Sequence, residues 1–111
     1  MDIEFCTTSR AKLCNSEKAI VRKFGQPAGQ KLMQRLGELA AANNLGEIER
    51  LPPAGLHLLK ADRAGQWAVT IHGGQRLVFE PLPEPVPKKP DGGLDLTRVT
   101  GVRVVFIGDY H

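Results

Sequence analysis

The chain has 111 residues, 41% of them hydrophobic, which is enough for one core and too few for two, so a single domain spanning 1–111 is expected. No run approaches the roughly 20 consecutive apolar residues of a membrane span, and Met1-Asp2-Ile3-Glu4-Phe5 lacks the basic-then-apolar character of a secretory signal, so a soluble cytoplasmic protein with no membrane partner is expected. The net charge of +3 is modest, and the two cysteines, Cys6 and Cys14, have neither the spacing nor the neighbouring ligands of a zinc site; both read as small buried apolar residues.

Residues 2 to 6 read as a short strand, and Thr7-Thr8-Ser9 supplies side-chain oxygens to cap a helix behind it. Asn15-Ser16 gives a second capping signal before Glu17 to Phe24, and Gly25 with Pro27 then separates that piece from a longer helix over about 28 to 43. In the longer helix Leu32, Leu36, Leu39 and Ala40 recur at helical spacing, a stripe expected to pack on a sheet. From Arg10 to Arg35 the basic residues Arg10, Lys12, Lys18, Arg22, Lys23, Lys31 and Arg35 face a single acid, Glu17. Such a cationic surface attracts phosphate backbones, although a merely solvated helical face has the same composition. Asn44-Leu45-Gly46-Glu47 has the spacing of a cap with its reciprocal Glu, predicting a short helical turn that stops before Pro52-Pro53.

From Leu56 onward the pattern changes to strands. Trp67 to Ile71 and Leu77 to Phe79 flank Gly73-Gly74, a hairpin signal. A register with Ile71 opposite Leu77 and Val69 opposite Phe79 sends Trp67, Val69, Ile71, Leu77 and Phe79 to the core and leaves Thr70, His72 and Arg76 on an open face. Residues 81 to 98 hold five of the eight prolines and read as an extended surface loop. A last strand, Val102 to Ile107, is apolar on both faces, which argues for a central position in the sheet. One strand, two or three helices and then four strands make an α+β protein.

Chemistry needs polar groups that converge. His57, Lys60, Arg63, Arg76 and the terminal Asp109-Tyr110-His111 are the candidates, and nothing resembles a phosphate loop, a nucleophile elbow or a metal-binding helix. This inventory suits cleavage of RNA, in which the substrate's 2′-hydroxyl is the nucleophile. The protein then needs a base, cations to stabilise charge on phosphorus and an acid for the leaving 5′-oxygen, with neither metal nor cofactor. Taken one at a time, each residue also has a plain structural reading: His57 lies among leucines, Lys60 can solvate a strand end, Arg76 can be an ordinary strand residue, and the last three can be a polar tail.

The run Leu56-His57-Leu58-Leu59-Lys60-Ala61-Asp62-Arg63-Ala64-Gly65-Gln66-Trp67-Ala68-Val69-Thr70-Ile71, then Gln75-Arg76-Leu77-Val78-Phe79, and the terminal Asp109-Tyr110-His111 together resemble the HigB branch of the RelE/ParE toxin superfamily. The resemblance implies a RelE-like fold, an N-terminal strand and two to three helices packed on one face of a mainly antiparallel four- to five-stranded sheet. It implies a toxin that enters the ribosomal A site and cuts messenger RNA, held in check by a HigA-like helix-turn-helix antitoxin. His57, Lys60, Arg76, Asp109, Tyr110 and His111 would be its catalytic set: His111 or His57 as base or acid, Asp109 orienting an imidazole, Lys60 and Arg76 stabilising charge, and Tyr110 stacking on a base. Arg10, Lys12, Lys18, Arg22, Lys23 and Arg63 would contact RNA. Alternatives are a ParE-like inhibitor that binds DNA gyrase without cutting anything, and a toxin-like protein without activity. Strand periodicity separates His57 from Lys60 onto opposite faces unless the strand is bulged or begins between them.

Overall fold

The structure is a computed structural model that describes residues 1–109; Tyr110 and His111 lie outside the described residues. Among the described residues, strand β1 (Asp2–Phe5) leads into helices α1 (Thr8–Cys14), α2 (Glu17–Phe24), α3 (Gln26–Ala41) and α4 (Leu45–Glu49). A 3-10 turn Pro52–Ala54 precedes β2 (His57–Leu58), a second turn Ala61–Arg63 precedes β3 (Trp67–Thr70), and β4 (Arg76–Leu82) and β5 (Gly101–Gly108) follow. The strands form one sheet in the order β1-β5-β4-β3-β2. Only the β1–β5 pair is parallel, and the last strand lies inside the sheet, between β1 and β4, as its apolar faces predict.

Local chemistry sets the helix starts. Thr7 Oγ1 accepts from Arg10 N (3.1 Å), Ser16 Oγ from Ala19 N (3.1 Å) and Asn44 Oδ1 from Glu47 N (3.2 Å), each satisfying an amide that a helix start leaves without a partner. Glu47 reaches back to the amide of Asn43 (3.1 Å), one residue earlier than a reciprocal capping box requires. Gly25, at φ +80°, forms the joint between α2 and α3.

One face of the sheet carries the core. Leu32 and Leu39 of α3 and Ile20 of α2 pack against Val69, Ile71, Leu77, Phe79, Val102 and Val104, and burying each of the larger side chains contributes about 1.5–3 kcal/mol. The stripe on α3 departs from expectation at two positions. Ala40 is exposed, whereas Arg35, placed by sequence in the cationic surface, is buried. Its Nε and Nη2 donate to the carbonyls of Thr70 and Pro53 (2.7 Å each), and its Nη1 pairs with Glu38 (3.0 Å). A guanidinium satisfied in this way is a clamp between α3, β3 and the turn before β2.

The β3–β4 hairpin has the expected faces but a register two residues away from the expected one: Val69 lies opposite Leu77 and Trp67 opposite Phe79, and Ile71 N donates to Gln75 O (3.1 Å). A shift of two keeps every side chain on its face. The turn is His72-Gly73-Gly74, three residues long. Pro81 belongs to β4, beyond the end of its pairing with β3, where a missing N–H leaves no ladder bond unmade. The loop itself is closed by a Lys88–Leu94 bridge and returns through a 3-10 turn, Leu96–Arg98, to bury Val99, whose carbonyl accepts from Leu45 N (3.1 Å). Cys6 is exposed and Cys14 half-buried, so neither is the fully buried residue expected.

Candidate functional site

The sheet's second face, away from the helices, carries the candidate residues in rows. Directly paired residues share a face, so the register defines one row His57–Ala68–Val78–Phe106 and a neighbouring row Thr70–Arg76–Gly108. The chain slips between Val78 and Phe79 against β5, so that Phe79 meets Val104. This bulge at Val105 puts both Val105 and Phe106 against Leu59, Ala68 and Val78, in a small apolar cluster on this face.

The segment after β2 then folds back over the row. Leu59 is buried in the cluster and its amide donates to Gln66 O (2.9 Å), closing a loop from which Arg63 reaches to stack its guanidinium over the Phe106 ring, 4.6 Å from the centroid. Between this loop and the end of β5 lies an open cleft of about 690 Å³, lined by Leu59, Lys60, Ala61, Asp62, Arg63, Phe106 and Asp109. Lys60, Arg63 and Asp109 are therefore brought together. The strand alternation expected to set His57 and Lys60 on opposite faces does not apply, because β2 ends at Leu58 and Lys60 begins the following turn.

His57 and Arg76 share the face but do not line the cleft. His57 is half-buried, and its Nδ1 lies 2.7 Å from the carbonyl of Gly55. A carbonyl only accepts, so Nδ1 is the donor in this contact. Gly55 is held in the left-handed conformation (φ +60°), and a Cβ there would sit 2.7 Å from Thr70 Oγ1. Arg35 braces both sides of this contact through Pro53 and Thr70. Arg76 folds onto the hairpin turn, donating to the carbonyls of Gly73 (3.1 Å) and Gln75 (2.9 Å). The pairing of Arg76 with Gly108 sets it one residue from Asp109.

Asp109 is seated by the turn. A Cβ on Gly74 would lie 2.6 Å from Asp109 Oδ2 and 3.1 Å from its Cγ, so the carboxylate rests where only a glycine leaves room. Gly108, at φ +149°, makes the departure from β5 that brings the chain there. Ala61, in the cleft wall, has φ +56°, a conformation that strains any residue with a Cβ. The expected roles of Tyr110 and His111 fall outside the described residues. Of the expected RNA contacts, Lys12, Lys18, Arg22 and Lys23 are exposed, Arg10 and Arg63 half-buried. Among the described residues no cluster of three or more His, Cys, Asp or Glu side chains is arranged to hold a metal.

Over its full length the chain superposes on all of a YoeB/ParE toxin from Agrobacterium tumefaciens, with a TM-score of 0.54 and 13% identity. The two share one fold. A RelBE2 toxin–antitoxin complex from Mycobacterium tuberculosis also aligns, covering 98% of this chain and 96% of that one, at a TM-score of 0.42 and 16% identity. No protein-family model matches the sequence, and no curated protein does either. The expected architecture, helices on one face of a mainly antiparallel sheet with an N-terminal strand, is thus the observed one. Also among the described residues, no helix is long and apolar enough to cross a membrane.

Sequence reasoning missed Phe106, Gly74, Gly55 and Arg35. Phe106 was hidden inside an apolar run, because the bulge that turns it outward leaves no mark in composition. Gly74 was legible only as a turn residue.

Proposed function

We propose that the chain is the toxin of a toxin–antitoxin pair, of HigB type, and that it cuts messenger RNA on the ribosome. The observation that carries this reading is the cleft in which Lys60, Arg63 and Asp109 meet beside an aromatic ring. Two cations and two carboxylates, Asp62 and Asp109, around an open depression suit a reaction that needs both proton transfer and stabilisation of negative charge on a phosphoryl group. A base removes the proton of the 2′-hydroxyl, the 2′-oxygen bonds to phosphorus, and the P–O5′ bond breaks as that oxygen takes a proton, leaving a 2′,3′-cyclic phosphate. Lys60 and Arg63 stabilise the phosphoryl oxygens, and Arg76 adds positive charge beside Asp109. His57, His111 and Asp109 supply the acid–base groups, with Tyr110 stacking on a base. The partners are the ribosome with its messenger and ribosomal RNA, and a HigA-like helix-turn-helix antitoxin whose gene is expected next to this one.

The test is cutting of a defined message by the purified chain in a translating extract, mapped by primer extension. Lys60→Ala and Asp109→Asn should each lower the rate by about 10²–10⁴, the usual contribution of an acid–base or charge-stabilising group. Growth arrest with intact messages and inhibited gyrase supercoiling would replace this reading with the ParE-like one.

A further inference from the structure

A second groove lies on the other side of the same strand end. It holds about 210 Å³ between α1, α2 and β5, with Leu13, Phe24 and Ile107 as its apolar floor and Thr7, Ser9, Arg10 and Lys23 around it. Phe106 lines the first cleft and Ile107 this groove. Successive strand residues point to opposite faces, so the two depressions open on opposite sides of β5 within one residue of each other along the strand.

The groove's chemistry is that of an anion site. Arg10 and Lys23 bring two cations, and among the described residues neither forms an ion pair. Arg10 is half-buried, with Nη1 donating to Cys6 Sγ, which leaves its remaining donors for a ligand. Lys23 lies over the Phe24 ring, 5.9 Å from the centroid. The Thr7 hydroxyl accepts the Arg10 amide and lies 3.5 Å from that of Ser9, giving two hydroxyl groups beside the two cations. Cations with hydroxyls over an apolar floor suit a phosphodiester with its sugar, and the volume is too small for a duplex.

We infer that this groove is a phosphate subsite for the RNA strand whose scissile bond lies in the Lys60–Asp109 cleft. The strand passes round the end of β5 from one depression to the other. This rests on the nuclease reading only for the identity of the strand, since the groove's anion chemistry stands on its own residues.

Binding of a short single-stranded oligonucleotide with 2′-deoxy sugars, which cannot be cut by this chemistry, tests it by fluorescence anisotropy across a salt series. Each single-strand phosphate contact contributes about 0.7 to the slope of log affinity against log salt, so Arg10→Gln with Lys23→Gln, which removes the one phosphate that the two cations share, should reduce the slope by about 0.7. Lys88→Gln with Lys89→Gln removes the same charge from the distant loop and should leave the slope nearly unchanged. Urea unfolding would verify that both double variants fold. Equal slope changes in the two double variants, an unchanged slope in the first, or no binding by the parent chain would each overturn the groove assignment. A parent chain that binds with the expected slope and cuts no message on the ribosome would instead sink the nuclease reading and leave the groove standing.

Discussion

At the scale of single residues, the position of Asp109 depends on an atom that is missing from Gly74. Gly74 has no positive φ that would demand glycine, so on backbone grounds Gly74→Ala should stabilise the turn by about 0.4–1 kcal/mol. The added methyl would nevertheless meet the carboxylate at 2.6 Å. Displacing a reacting group by about 1 Å can lower a rate 10²-fold. We therefore expect an unchanged or raised urea midpoint together with a large loss of message cutting. The double variant with Asp109→Asn separates this from other causes: if Gly74 acts through Asp109, it should cut no more slowly than Asp109→Asn alone. Additive losses would show that Gly74 matters in another way. Ala61 makes the opposite case. Its φ of +56° costs about 1–2 kcal/mol in an L-residue with a Cβ, so Ala61→Gly should stabilise the fold by about 1 kcal/mol after the greater freedom of unfolded glycine is set against it. Ala61→Val should destabilise it. Cys14 gives a pH-dependent effect. Burial raises its thiol above the ordinary value of 9.0, opposed in part by Arg10. The unfolded chain thus loses this proton at lower pH than the folded one. Stability from this group is complete below the ordinary value and falls as pH rises through the folded one, and Cys14→Ala should flatten that part of the pH–stability curve.

At the scale of elements, Arg35 is the side chain on which most of the local arrangement depends. It joins α3 to the carbonyls of Pro53 and Thr70, on either side of the Gly55 contact that holds His57. Arg35→Met keeps the volume but removes the donor from the partly buried contacts to the Pro53 and Thr70 carbonyls and leaves Glu38 with its bond from Gln34. The cost should be about 1–3 kcal/mol, read as a lower urea midpoint, with Arg35→Lys recovering part of it. A loss below 1 kcal/mol would show that those carbonyls find other partners. Sequence reasoning reached what is local: the caps at Thr7, Ser16 and Asn44, the glycine joint at Gly25 and the hairpin faces all follow from residues within a few positions of one another. It failed where the answer lies across the sheet. The burial of Arg35 is decided by carbonyls 18 and 35 positions away, and the bulge at Val105 by the strand opposite. The site was legible in its residue types and illegible in its geometry, because which of two rows holds His57 depends on the pairing of a strand only two residues long.

At the scale of the whole molecule, a net charge of +3 conceals a separation of charge along β5. Near its start, Arg103 is surrounded by Glu4 (3.8 Å), Glu80 (3.7 Å) and Glu84 (3.6 Å), and Asp2 lines the same depression. Near its end the cleft sets Lys60 and Arg63 against Asp62 and Asp109, and the groove adds the cations Arg10 and Lys23, unopposed among the described residues. An RNA approaching such a body is repelled from one end and drawn to the other, which orients it before contact. Lys18 and Arg22 lie on α2 but line neither depression, so their contribution should be to this field. If the chain cuts RNA as proposed, replacing both with Glu should slow cutting at limiting protein concentration by about 10-fold or more at low salt, within the range that electrostatic steering supplies. The maximal rate at saturating protein should stay unchanged. The deficit should also shrink as the screening length falls from about 30 Å at 0.01 M salt to about 8 Å at 0.15 M. A deficit that persists at the higher salt, or appears in the maximal rate, would mean instead that Lys18 and Arg22 touch the bound RNA directly.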